Sequence, residues 1–243
     1  MAKKYDILFK DEHLIIVNKP AHTLTIPGRA GGNGDSLAEF LVREFGESFV
    51  VHRLDKQTSG VICFARTKEA HRNLSMQFQN RTVQKKYLVL VDGAMHQEEG
   101  EIDKGIAPHP VIAGKMAISP KGKKALTLYK VKERFRRLTL VEADIKTGRT
   151  HQIRIHFQSI GYPLVVDKLY GRNTELMLSA IKVRGFRQSK SKEARPLIDR
   201  STLHAHTLTI KHPVSGEKMQ FEAPLPKDFR AVLSQLRKWG KVI

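Results

Sequence analysis

The 243-residue chain has one cysteine, Cys63, which excludes an internal disulfide and any zinc site built on cysteines. No apolar run approaches the roughly 20 residues that would span a bilayer, so membrane association through such a helix is not expected. The opening Met-Ala-Lys-Lys-Tyr-Asp has no apolar core of a secretory signal. A chain of this kind is expected in a reducing cytoplasm. Acid is also scarce: 24 Asp and Glu stand against 43 Lys and Arg, a formal net charge of +19. Such a surface attracts polyanions and, on binding nucleic acid, releases counterions. Charge alone separates neither RNA from DNA nor an enzyme from a passive binder.

An apolar content of 40% is ordinary for a folded protein and leaves enough side chains for a proper core. Ile7–Phe9 and Leu14–Val17 read as short strands around an Asp11-Glu12 turn, the second ended by Lys19-Pro20. Pro27–Asp35 reads as a flexible loop, with no Gly-Lys-Ser/Thr to make it a phosphate loop. Ser36 is placed to cap a helix carrying Leu37, Phe40 and Leu41. Val61–Ala65 is a buried strand by its continuous apolar run, and Ala70, Leu74 and Phe78 mark a helix to about Asn80. Tyr87–Val91, Leu126–Val131 and Leu138–Ile145 read as strands. Ile153, His156, Phe157 and Ile160 follow helical spacing, starting near Thr150 and ending at Gly161. Leu203–Ile210 and Met219–Ala223 predict a hairpin, and Phe229, Val232, Leu233 and Leu236 a last helix. The expected fold is α+β: one domain over residues 1–243, with a mixed, largely antiparallel sheet flanked by helices. Within it, residues 181–200 look like a basic insertion, with seven basic and two acidic residues.

Two segments carry chemistry. In His52-Arg53-Leu54-Asp55-Lys56-Gln57-Thr58-Ser59-Gly60 a carboxylate sits between two cations, on a turn leading into a buried strand. Rigidly anchored loops are common places for catalytic groups, although an ordinary ion pair would use the same residues. In Lys146-Thr147-Gly148-Arg149-Thr150-His151-Gln152-Ile153-Arg154, the cations and the first amides of a helix make an anion-attracting end. His151 and His156 do not share a helix face. His204 and His206 share a strand face but lack a third ligand, so no metal site is expected.

Together these stretches resemble the RluA family of pseudouridine synthases. The family's His-Arg-Leu-Asp-x-x-Thr-Ser-Gly is matched at every fixed position from His52 to Gly60. Lys85-Lys86-Tyr87 matches its Lys-x-Tyr element, and Thr147–Arg154 its Thr-Gly-Arg-x-His-Gln-Ile-Arg. Leu203-His204-Ala205 matches its late Leu-His-Ala, and Asp11-Glu12 with Val17-Asn18-Lys19-Pro20 its opening. One departure is Val166 before Asp167-Lys168-Leu169-Tyr170-Gly171, where family members commonly carry glycine. Residues 181–200 also look longer than the corresponding connection.

The resemblance implies an RNA-dependent isomerase that converts uridine to its C-glycoside, with no metal and no cofactor. Asp55 would be the catalytic carboxylate, Arg154 the arginine paired with it, and Tyr87 the tyrosine set against the target base. Leu203 would pack on the base, and Arg53 would fill the place of the flipped uridine, with His52 and Arg149 also contacting substrate. An aspartate must be ionised for this work, and one near the ordinary 3.9 is so at neutral pH. Burial would oppose ionisation, which is why a nearby cation is needed. Flipping a uridine out costs a few kcal/mol, and a guanidinium stacked in the gap offsets part of that. The expected partner is ribosomal or transfer RNA, in a stem-loop, with no obligate protein partner and no appended S4 RNA-binding domain. Two other classes remain: a non-catalytic basic RNA- or ribosome-binding protein on this fold, and a metal-dependent nuclease. The intact set of Asp55, Tyr87 and Arg154 argues against the first. The absence of a carboxylate cluster in the sequence argues against the second.

Overall fold

The structure, a computed structural model, describes residues 5–28, 36–182 and 195–240. In chain order the first elements are β1 (Asp6–Lys10), β2 (Leu14–Lys19), α1 (Leu37–Phe45), β3 (Phe49–Val50), β4 (Ser59–Ala65) and α2 (Lys68–Gln79). They are followed by β5 (Gln84–Asp92), β6 (Glu99–Asp103), β7 (Ile106–Pro108), β8 (Met116–Ile118), β9 (Leu126–Arg134) and β10 (Leu138–Ile145). The chain continues through α3 (Gln152–Ser159), α4 (Leu178–Ile181), β11 (Leu203–Lys211), β12 (Lys218–Glu222) and α5 (Lys227–Trp239). These elements group into two compact units. The first takes the chain up to Tyr87 and then His204–Pro224; the second takes Leu88–Leu203 and the chain from Leu225.

In the first unit the strand order is β1-β2-β4-β11, with β3 beside β4 and β12 beside β11. Leu14, Ile15, Ile16 and Val17 are all buried, because β2 runs between β1 and β4 and has no solvent face. That is the physical origin of the unbroken apolar run. α1 begins where Ser36 accepts the amide of Glu39 while the Glu39 carboxylate accepts the Ser36 amide, a reciprocal cap. α2 starts at Thr67, whose hydroxyl accepts the Ala70 amide at 3.1 Å, and buries Ala70 and Leu74 against the sheet.

In the second unit β5, β10, β9 and β6 follow one another. The apolar face of α5 (Phe229, Val232, Leu233 and Leu236) packs into a core with Leu88, Leu90, Leu140, Val165 and Val166. β7 and β8 form a separate two-stranded ribbon. The described pairings are antiparallel except β4 with β11, so the sheet is mixed and largely antiparallel, as the sequence pattern suggested. The parallel pair was not foreseen, since 137 residues separate Ala65 from Leu203 and no local pattern encodes it. Most of the basic stretch at 181–200, namely 183–194, lies outside the described residues, as does most of the Pro27–Asp35 loop.

Candidate active site

Asp55 lies on the short link between β3 and β4, and each neighbour of that link is tied down. The Thr25 hydroxyl donates to the Leu54 carbonyl at 2.9 Å and accepts the Leu54 amide at 3.2 Å, so Leu54 is clamped like a residue in a ladder. The Thr58 amide donates to the Asp55 carbonyl at 3.0 Å, closing a turn. Lys19, fully buried at the end of β2, donates to the carbonyls of Pro20 at 2.9 Å and Thr23 at 2.8 Å, and reaches that of Lys56 at 3.5 Å. Downstream, Ser59 donates to His204 Nδ1 at 2.9 Å, and His204 Nε2 donates to the Ala223 carbonyl at 3.0 Å. Asp55 itself is half-buried. A loop this constrained holds a carboxylate at a defined place, as a reacting group needs.

Tyr87, on β5, is buried, and its phenol is pushed well above its ordinary range, first by burial and then by the charge of Asp55 nearby. It is therefore a neutral hydroxyl at any physiological pH, a hydrogen-bond donor beside a carboxylate. His52 is placed differently. Its ring stacks on Phe78 with centroids 4.4 Å apart, and Lys85 lies over the same Phe78 ring. Its Nε2 accepts the Cys63 amide at 3.0 Å. Burial, and then the Lys85 charge, lower its pKa to about 3. His52 is thus a neutral acceptor satisfied inside the first unit. Arg53 is exposed, with its guanidinium available to solvent.

In the second unit the Thr147–Arg154 segment does not open a helix in the ordinary way. His151 adopts a left-handed conformation (φ 56°), no side chain caps α3, and the helix starts two residues later than the spacing predicts. Gln152 organises the turn instead. Its Oε1 accepts from the Thr147 hydroxyl at 2.7 Å and the Arg149 amide at 3.1 Å, and its Nε2 donates to the Leu126 carbonyl and to Thr127 Oγ1. The Arg149 Nε donates to the Lys124 carbonyl at 3.1 Å, leaving the residue half-buried.

Arg154 is buried and makes a fork with Asp167, Nε to Oδ2 at 2.6 Å and Nη2 to Oδ1 at 2.7 Å. Asp167 Oδ1 also accepts the amides of Leu169 and Tyr170, so the turn that carries Val166 in place of glycine is held by the carboxylate itself. The Tyr170 hydroxyl in turn accepts the Met116 amide and shares a hydrogen bond with His151 Nδ1, while the Arg154 guanidinium lies 5.0 Å over the Tyr170 ring. Leu203 is buried at the start of β11. His156, buried on α3, donates from Nε2 to the Lys104 carbonyl and accepts from Thr127, so it is a structural histidine.

The first unit thus gathers Asp55, Tyr87 and His52, and the second holds Arg154, Arg149 and Leu203. Sequence reasoning missed the clamp by Thr25 and the Asp167 partner of Arg154. The second had a legible signal, because a buried arginine requires a carboxylate and Asp167 follows thirteen residues later. The first had none, since a lone threonine in a loop says nothing about what it will meet. His204 and His206 share a face as expected, yet both reach the carbonyl of Ala223, His206 at 3.3 Å. Among the described residues no cluster of three or more His, Cys, Asp or Glu could hold a metal.

The chain belongs to the RNA pseudouridylate synthase family, a class of RNA-modifying isomerases, which residues 13–159 match, a stretch holding Asp55, Tyr87 and Arg154. It is 39% identical over 236 residues to the ribosomal large subunit pseudouridine synthase D of Nitrosomonas europaea, covering 95% of this chain and 65% of that protein. It is 38% identical over 243 residues to the protein of the same name from Xanthomonas campestris, covering 96% of this chain and 70% of that one. The chain therefore spans about two thirds of the length of these bacterial relatives. Among solved structures, human RNA pseudouridylate synthase domain containing 4 is similar at a TM-score of 0.74 and 27% identity, over 95% of this chain and 92% of that one.

Proposed function

We propose that this chain isomerises specific uridines of a structured ribosomal RNA to pseudouridine, with Asp55 as the catalytic carboxylate. The observation that carries this reading is the pairing of Asp55, on a clamped loop, with the buried neutral phenol of Tyr87. The reaction breaks the N1–C1′ bond, joins C1′ to C5, releases the C5 proton to solvent and takes up a proton at N1, so no atom is gained overall and no oxidant is needed. A neutral phenol offers a flat face for the base, and it can pass on a proton only while giving up its own. Asp55 is the acceptor close to it. Arg154, fixed by Asp167, belongs to the same set through its motif.

In this reading exposed Arg53 enters the stack that the uridine leaves, and Leu203 and Arg149 contact the substrate. His52, held by Phe78 and the Cys63 amide, acts by setting the loop that presents Arg53 and Asp55. Ribosomal rather than transfer RNA is favoured by the names of the bacterial relatives, and a stem-loop by the need to reach an unstacked base. A cytoplasmic location follows from such a substrate. Among the described residues no helix is long and apolar enough to cross a membrane.

The test is tritium release from ribosomal RNA transcripts carrying 5-tritiated uridine. With Asp55→Asn, release is expected to fall by about a thousandfold or more, while affinity for the transcript stays close to that of the unaltered protein. An Asp55→Asn protein that turns over normally would sink the assignment. An unaltered protein that binds the transcript without releasing tritium would leave the non-catalytic binding protein in its place.

A further inference from the structure

At the end of α5 the burial pattern breaks. Phe229, Val232, Leu233 and Leu236 are almost wholly buried, but Trp239, next on the same stripe, is 40% exposed. Two ammonium groups lie over its ring: Lys182, just after α4, at 4.7 Å, and Lys238 at 5.0 Å. Among the described residues neither ammonium has a carboxylate within ion-pair distance. The neighbouring Arg237 differs, because both carboxylate oxygens of Glu133 hold it, at 2.6 and 2.9 Å.

The ordinary account is that lysine stems cover an apolar ring and that cations suit a helix C-terminus. That account explains Lys238, which is on the helix. It does not explain why the chain's sole tryptophan remains at the surface, nor why a second lysine from another element is directed onto it. A lysine over an exposed ring is weakly held, so a planar group can displace it or share the ring. The displaced ammonium is then free to meet an anion. A flat aromatic face flanked by unneutralised cations suits a nucleotide in an unpaired stretch, whose base stacks on the ring while its phosphates meet the ammoniums.

We propose that Trp239, with Lys182 and Lys238, forms an RNA-binding platform on the second unit that stacks one unpaired base of the substrate. The proposal rests on the reading that the substrate is RNA, and it adds a subsite outside the Asp55 loop. Its role is affinity and placement of the RNA, not bond breaking.

Because Trp239 is the only tryptophan, intrinsic fluorescence reports on this site alone. Titration with an RNA hairpin carrying a uridine-containing loop is expected to quench the emission and to shield it from acrylamide. Heparin, a polyanion without bases, should compete for binding without the quench. Trp239→Ala is expected to raise the Kd for the hairpin about tenfold, the scale of losing one stacked base. Trp239→Phe should restore most of the affinity, and turnover at saturating RNA should be unchanged in both. Lys182→Gln and Lys238→Gln should each reduce the salt slope of binding by about one phosphate contact.

Three results would overturn the platform: binding by anisotropy of labelled hairpin with no change in tryptophan emission, equal quenching by heparin, or equal loss in the Ala and Phe variants. Failure here is separable from failure of the functional reading. Tritium release without quenching removes the platform alone, whereas quenching without tritium release leaves the platform and removes the isomerase.

Discussion

His52 and Asp55 stand three residues apart on the same short link. His52 is held neutral by burial and by Lys85, with its pKa lowered to about 3, while its Nε2 accepts a backbone amide. In the unfolded chain a histidine titrates near 6.5, so between about 6.5 and about 3 the unfolded state binds a proton that the folded state refuses. Stability from this residue is therefore fully present above about 6.5 and is lost as the pH falls toward 3. The unaltered protein is expected to lose urea stability between pH 7 and pH 4.5 more steeply than His52→Gln, whose amide oxygen still accepts from Cys63. Equal slopes in the two proteins would show that the ring takes up its proton in the folded state. Tyr87 shows the converse case: its hydroxyl keeps its proton because burial and the Asp55 charge both oppose a phenolate.

At the scale of elements, the parallel pairing of β4 and β11 decides how the Asp55 loop leaves the sheet. His204 stands opposite Ser59 and Ala205 opposite Gly60. Gly60 adopts φ +120°, and a Cβ there would lie 2.1 Å from the Ala205 carbonyl oxygen. Only glycine permits both the backbone angle and the close approach. Gly60→Ala is expected to destabilise the fold by about 3 kcal/mol or more, combining backbone strain with a clash against main chain that cannot move aside. Urea denaturation measures it, and a cost below about 1 kcal/mol, the ordinary effect of a mild substitution, would contradict the geometry. α3 carries a related lesson. Its helical spacing was visible, but its start is set by Gln152 bonding back to Thr147 and Arg149, so this residue of the motif is a structural clamp.

For the whole molecule, a net charge of +19 would make the proposed association with RNA electrostatic in large part. Each phosphate neutralised releases counterions, so the logarithm of the affinity should fall linearly with the logarithm of the salt concentration. A footprint of about six phosphates would weaken hairpin binding roughly a thousandfold between about 50 and about 200 mM salt. A salt-independent affinity would mean that apolar contacts dominate and that the charge serves another purpose. Turnover at saturating RNA should depend on salt far less, because the bonds broken in the proposed reaction lie within a base and its sugar.

Much was legible without coordinates. The strands and helices around the core followed from apolar spacing, because side-chain period is a local property of the backbone. The cap at Ser36 followed from a serine standing just before the apolar stripe of Leu37, Phe40 and Leu41. The family followed from motifs whose residues are contiguous, and the basic charge from composition. What the tertiary structure decided were meetings between residues far apart in the chain: Thr25 clamping Leu54, Asp167 taking Arg154, and β11 arriving parallel to β4. The chain's division into two compact units belongs with these, since each unit is assembled from two separate stretches. So does the state of His52, a substrate contact by the family resemblance. Its neutral, acceptor state depends on Phe78, Cys63 and Lys85 being brought around it. Local spacing specifies which face of an element is apolar; desolvation and partner choice arise only when distant segments close on one another.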